Sequence, residues 1–179
     1  MKIYIRDAQV ADAPEIAALH VRSWQVAYAQ LLPAAFLASM SVVERTQRWQ
    51  GILAGAESLT VVAEVDRRVV AFVSYGNCRD DGAPTDRGEI WAIYAAPETW
   101  GRGAGRALLA HAVERLAAAG YRETALWVFA GNARGRRFYE AAGFQAVAGS
   151  AQRFELGGAM LEEQQYLLRH PRAAEAVSP

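Results

Sequence analysis

The chain has 179 residues, 53% of them apolar, which is enough for one sizeable core and short for two domains. Its 19 basic and 19 acidic residues cancel, so no long-range field marks a nucleic acid or an anionic membrane as partner. A single cysteine, Cys78, excludes an internal disulfide, and His20, His111 and His170 have no ligand-like spacing with it, so no metal is expected.

The opening "MKIYIRDA" alternates polar and apolar residues, which predicts a first strand over 2–7 and is not the pattern of a signal peptide. No apolar run of about eighteen residues follows anywhere, and a soluble cytoplasmic protein is the expectation. In "DAPE", Asp12 reads as a helix cap, Pro14 as a first-turn residue and Glu15 as the capping-box partner, with a helix running to about Tyr28. Pro33 breaks the chain before a short helix, and Ser41 with Glu44 opens another by the same capping spacing. The β-branched runs around "DRR" predict a hairpin over 59–76. A loop rich in Asp, Gly and Pro then leads to a strong strand at 89–95.

Beyond 105, apolar residues recur at helical spacing until Gly120. A strand at 123–129, a short helix from Asn132 to Gly143, a strand "FQAV" and a last strand near "EEQQYLLR" complete the series. The expectation is a mixed α/β (α+β) fold: one mostly antiparallel sheet of about seven strands flanked by helices. Residues 1–169 read as one domain and 170–179 as a mobile tail.

"AAPETWGRGAGRALL" places Gly101, Gly103 and Gly105 directly before a helix. Glycine admits positive φ and removes Cβ atoms, so backbone N–H groups and the positive end of a helix dipole can converge on an anion. Arg102 and Arg106 add charge on either side. A tight strand-to-helix connection with solvated arginines is the plainer alternative. A P-loop is excluded, because Lys2 is the chain's one lysine, and a dinucleotide fingerprint fails because Arg106 or Leu108 occupies its third glycine position.

Together, "EIWAIYAAPETWGRGAGRALL" and "NARGRRFYEAAGF" resemble the GNAT superfamily of acyl-CoA-dependent N-acetyltransferases. The resemblance implies acetyl-CoA as co-substrate, its pyrophosphate on backbone amides of a loop patterned Gln or Arg, two variable residues, Gly, one variable residue, Gly or Ala. That frame here is Trp100, Gly101, Arg102, Gly103, Ala104, Gly105, with Arg106 following. Trp100 departs from the family's Gln or Arg, and any side-chain contact from that position is expected to be lost. The pantetheine arm is implied to lie along main chain near Ile93 and Ala95, with an N–H near Ile93 or Tyr94 polarising the thioester carbonyl.

By the same resemblance Tyr139 donates a proton to the departing sulfur, or else packs beside the cofactor. Asn132 contacts the cofactor or only caps its helix. Glu89 is implied as the base that deprotonates the amine, the alternative being a strand-end carboxylate bound to Arg87 or solvent. Trp24, Tyr28 and Leu32, with His20, are implied to line the amine pocket, ordinary core packing being the alternative for each. Cys78 has no activating partner in sequence and reads as a small half-buried thiol rather than a nucleophile.

The expected function is acetyl transfer from acetyl-CoA to a primary amine of a small or amino-acid-like acceptor, in a ternary complex. The chain also resembles a common bacterial branch whose acceptors are unassigned, so a protein N-terminal or lysine acetyltransferase is the second reading. A non-catalytic acyl-CoA sensor is the third, and a structural subunit a fourth that the intact glycine loop disfavours. Family habit implies a homodimer through the late strands.

Overall fold

A computed structural model describes residues 2–55 and 59–171. In chain order it contains β1 (Tyr4–Asp7), α1 (Ala13–Ala27), α2 (Ala34–Ala38), α3 (Val42–Ala54), β2 (Leu59–Val65), β3 (Arg68–Asn77) and β4 (Arg87–Ala95). There follow α4 (Ala104–Ala118), β5 (Glu123–Phe129), α5 (Ala133–Ala141), β6 (Gln145–Ala146), β7 (Gln152–Leu156) and β8 (Ala159–Arg169). The strands form one sheet in the order β1-β2-β3-β4-β5-β8-β6, with β7 paired to β8. Every pairing is antiparallel except β4 with β5.

The strands of the first half are as expected. Asp66 and Arg67 join β2 to β3 with φ of 50 and 62°, a two-residue turn whose positive φ values match the twist of the flanking strands. Ser41 caps α3 by accepting from the Glu44 N–H at 3.2 Å. At α1 the boundary is right and the chemistry is not. The Asp12 carboxylate accepts from both terminal nitrogens of Arg6, at 2.7 and 2.8 Å, and from the Gln9 N–H, instead of capping the helix. Glu15 accepts from the Val69 N–H at 3.0 Å, tying α1 to β3 rather than closing a capping box.

The late strands differ from expectation. The sequence suggests about seven, whereas eight are present among the described residues because β7 pairs along the first half of β8. Leu156 faces Ala159 across Gly157 and Gly158, whose φ values are 59 and 84°. A Cβ at Gly157 would lie 2.3 Å from the Phe36 ring, so the tip needs glycine both for its conformation and to approach α2. His170 does not behave as tail: its Nε2 lies 2.9 Å from Thr124 Oγ1 and its N–H donates to the Arg122 carbonyl. The rest of the expected tail, 172–179, lies outside the described residues.

Helix α4 packs on one face of the sheet, with Leu108, Leu109, Ala112 and Leu116 against Val73, Tyr75, Ile90 and Leu126. On the other face α1 and α3 bring Ile16, Leu19 and Trp49 onto Val62 and Phe72. A third apolar group joins α1, α2 and the β7–β8 hairpin through Tyr28, Leu32, Leu37 and Leu161. Among the described residues no helix is long and apolar enough to cross a membrane.

His20 sits at the centre of the second group, its ring stacked on Tyr94 at 4.7 Å and tilted against Phe72 and Trp49. Trp49 Nε1 donates to its Nδ1 at 3.3 Å. Burial, then the charges of Arg45 and Arg48, push its pKa down to about 3. The imidazole is therefore neutral when folded and binds a proton near pH 6.5 only when unfolded, so folding stability falls as pH drops from about 6.5 toward 3. Thermal unfolding followed between pH 7 and 4 should show a shallower loss in His20→Gln, which keeps an acceptor for Trp49, than in the wild type. Parallel curves would show that His20 is not the residue responsible.

Candidate active site

The site begins with a fault in the sheet. Ser74 pairs with Ala92 and Tyr75 with Ile90, so Trp91 is an extra residue on β4. Such a bulge bends its strand and raises its twist. β4 pairs with β5 only from Arg87 to Glu89, opposite Glu123 to Ala125, and beyond that the two strands part. The opening is a cavity of about 630 Å³ that runs from the glycine loop to Glu163.

At the loop end, Gly101 and Gly103 have φ of 76 and 95°, and Gly103 is the left-handed residue that starts α4. No side chain caps this helix. Among the described residues the N–H groups of Gly101, Gly103, Ala104, Gly105 and Arg106 have no hydrogen-bond acceptor, which leaves five donors at the positive end of the helix dipole, and all of these residues but Ala104 line the cavity. Ala104, expected among the cofactor contacts, is buried whole in the α4 core and does not line the cavity. Arg106 lines the cavity, but Arg102 is exposed and does not, correcting the expected pair of flanking cations.

The second cation comes from elsewhere. Trp100 Nε1 donates to the Ala95 carbonyl at 2.8 Å, and the Arg134 guanidinium lies 3.8 Å over its ring. The residue that replaces the family's Gln or Arg thus carries an arginine from α5 to the cavity wall. Arg134 gave no sequence signal, since the stacking that marks it joins two separate motifs.

Ile93 and Ala95 face the α4 core while Tyr94 faces α1, and all three line the cavity. The Ala95 carbonyl accepts from Ser23 Oγ as well as from Trp100, so both its lone pairs are taken and the carbonyl itself is not free for a ligand. Asn132 Oδ1 accepts from the Gly135 N–H at 2.9 Å, which makes it the cap of α5, and its amide still borders the cavity.

At the far end Glu89 is only 2% exposed. Arg79 holds it with three donors: the main-chain N–H and Nε to Oε2, at 2.8 and 3.3 Å, and Nη2 to Oε1 at 2.5 Å. Arg87, the partner considered from sequence, pairs instead with Glu123. Asp80, from the same loop as Arg79, accepts from Trp127 Nε1 and Gln165 Nε2 and is pinned beside β5 and β8. Glu163 on β8 also lines the cavity and has no hydrogen-bond partner among the described side chains. Burial, followed by the charges of Asp80 and Glu89, raises its pKa above the ordinary carboxylate value.

Tyr139 reaches the cavity from α5. Burial, and secondarily Tyr94, raises its pKa, so the phenol is fully protonated near neutrality. Tyr28 lines the same cavity, its hydroxyl 3.4 Å from that of Tyr94. Trp24 and Leu32 do not: both belong to the apolar group under the β7–β8 hairpin. His20 borders a different cleft. Burial likewise raises the pKa of Cys78, whose Sγ lies 3.5 Å from Asp80, and leaves it the unreactive thiol expected. Among the described residues no group of three or more His, Cys, Asp or Glu could hold a metal ion.

Known proteins carry the same architecture. Residues 15–144 match the family model described as acetyltransferase (GNAT) family. The chain is 32% identical over 161 residues to YuaI of Bacillus subtilis, an uncharacterised N-acetyltransferase, covering 90% of each. Among solved structures, an N-acetyltransferase of Staphylococcus aureus Mu50 superposes with a TM-score of 0.76 at 18% identity, over 94% of this chain and 99% of that one. PaiA N-acetyltransferase of Thermoplasma acidophilum, crystallised with coenzyme A, gives 0.70 at 21% identity over 93% and 100%. The family match, spread over the glycine loop, the split strands and α5, establishes that the chain belongs to the GNAT family of acetyltransferases.

Proposed function

We propose that the protein transfers the acetyl group of acetyl-CoA directly to a primary amine of a small, amino-acid-like acceptor. The observation that carries this reading is the coincidence, in one cavity, of unpartnered loop amides at one end and Tyr139 with carboxylates at the other. The donor set fits the co-substrate: five N–H groups with Arg106 and Arg134 suit a pyrophosphate, and the parted edges of β4 and β5 suit an extended arm. When bound, acetyl-CoA supplies an activated acyl carbon and a thiolate leaving group.

The chain's own residues then divide the work. The amine must lose a proton before or as its nitrogen bonds to the acyl carbon, and the carbon–sulfur bond breaks as the amide forms. Arg79 occupies most of the lone pairs of Glu89, so Glu163 is the freer proton acceptor, with Glu89 as a fixed anion beside it. Tyr139 gives the departing sulfur a proton or a hydrogen bond. Main-chain N–H groups of β4 past the bulge are placed to stabilise the oxyanion. Positioning in a confined cavity supplies a further share of the rate.

Small acceptors are favoured over peptides because the space between α2 and the β7–β8 hairpin is filled. Phe36, Leu37, Phe154, Leu156 and Leu161 pack there, and the hairpin tip touches Phe36.

Four outcomes test the reading. Acetyl-CoA at about a hundred times its dissociation constant should raise the thermal midpoint by roughly 5 to 11 °C. Gly105→Glu, at a helical position where a Cβ meets only ordinary contact with Phe138, should abolish that rise while leaving the unliganded midpoint nearly unchanged. An undiminished rise would remove the glycine loop from the binding site. Tyr139→Phe should lower kcat by about 10²-fold or more at little cost in acetyl-CoA affinity, and a variant as fast as the wild type would leave Tyr139 a packing residue. Because its pKa is raised, Glu163 must lose its proton to act, so kcat/KM should fall as pH drops through that value. Glu163→Gln should lose this acid limb together with about 10²-fold in rate, whereas an unchanged pH profile would transfer the role to Glu89.

A further inference from the structure

Beside the catalytic cavity lies a second cleft of about 770 Å³, bordered by α1, α3, β3 and β4. Arg79, Trp91 and Ala92 line both spaces, so the bulge of β4 is the partition between them. Trp91 is held in place by its Nε1 bond to the Asn77 carbonyl at 3.0 Å. On its indole, at 4.6 Å, rests the Arg79 guanidinium that also grips Glu89.

The second cleft is cationic. Arg45 and Arg48, one turn apart on α3, join Arg79 in its wall. Among the described residues neither has a carboxylate within ion-pair distance, and Arg45 is moreover half-buried. Burial and the neighbouring Arg48 charge lower the pKa of Arg45, so the protein bears the cost of a partly desolvated cation with no counter-ion among those residues. The group nearest in character, His20, is neutral and returns nothing.

We propose that this cleft seats an oxyanion of the acceptor, a carboxylate or phosphonate, on Arg45 and Arg48, while its amine passes the Trp91 partition toward Glu89 and Glu163. The inference rests on the acetyl-transfer reading above and specifies its acceptor as a zwitterion. Guanidinium forks match such oxyanions with paired hydrogen bonds. The two ends of the acceptor then meet opposite charges, carboxylates at the ammonium and arginines at the anion. A polyamine would place a second cation against Arg45 and Arg48, so the same residues reject it.

Thiol release from acetyl-CoA, measured over matched amino acids and their carboxamides, aminoalkylphosphonates and spermidine, tests this directly. The wild type should favour the acid over its carboxamide by at least about tenfold in kcat/KM, and the phosphonates show whether carboxylate or phosphorus oxyanion is preferred. In Arg45→Gln/Arg48→Gln the ratio of acid to amide should fall toward about one, mainly through a higher KM for the acid, while Arg45→Lys/Arg48→Lys retains part of the preference. Calorimetric affinity for acetyl-CoA reports on the fold and on the cofactor reading separately. Loss of that affinity in the wild type would defeat the acetyl-transfer reading itself. Acetyl-CoA binding with equal use of acid and amide, with spermidine preferred, with no anionic amine turned over, or with the preference intact in the glutamine variant would overturn the oxyanion site alone.

Discussion

One extra residue in one strand governs this molecule. Antiparallel pairing fixes β4 against β3 on both sides of Trp91, so the added residue has to be absorbed as a bend, and the bend takes β4 away from its parallel neighbour β5. A sheet that stayed closed would use the edges of those strands on each other. Parted, they expose main-chain donors and acceptors inside the fold, a costly arrangement unless a ligand satisfies them. The same bulge aims Trp91 toward the α3 side, where it supports Arg79 and through it Glu89.

The elements around the split complete the site with few dedicated side chains. On the α4 side the chain contributes mostly backbone: glycines with positive φ, an uncapped helix start and cations from α4 and α5. On the α1 side it contributes side chains fixed by other side chains, with Asp80 held by Trp127 and Gln165, and Tyr28 beside Tyr94. The division is physically reasonable. A pyrophosphate is bulky and doubly charged and is well met by many N–H groups, whereas a reacting amine needs individually placed acids and bases.

Much of this was legible in the sequence because it is local. The glycines before α4, the Ser41 cap, the Asp66–Arg67 turn and the apolar period of α4 each act within a few residues. Three readings failed where a local signal had a distant competitor. Asp12 had the spacing of a cap, but Arg6 offers it two strong hydrogen bonds. Trp24 and Leu32 were expected to line the amine pocket, yet both pack in the apolar group that includes the unread β7–β8 hairpin and neither lines the cavity. That hairpin did carry a signal, the Gly157–Gly158 pair between runs able to form strands. Arg79, Glu163 and Arg134 were not recoverable, because each acquires its role only through the fold: Arg79 from Glu89, Glu163 from the nearby charges of Asp80 and Glu89, and Arg134 from stacking on Trp100 of another motif. Trp91 was readable as a strand residue but not as a bulge, since register is a property of two strands together.

A crystal structure of the acetyl-CoA complex is the measurement that bears most directly on the account. The pyrophosphate should lie on the free N–H groups of residues 101 and 103–106, with Arg134 still stacked on Trp100 beside it and the thioester between β4 and β5 within reach of Tyr139. A ligand bound elsewhere, or strands β4 and β5 closed upon each other beneath it, would contradict the claim that the bulge at Trp91 builds the site.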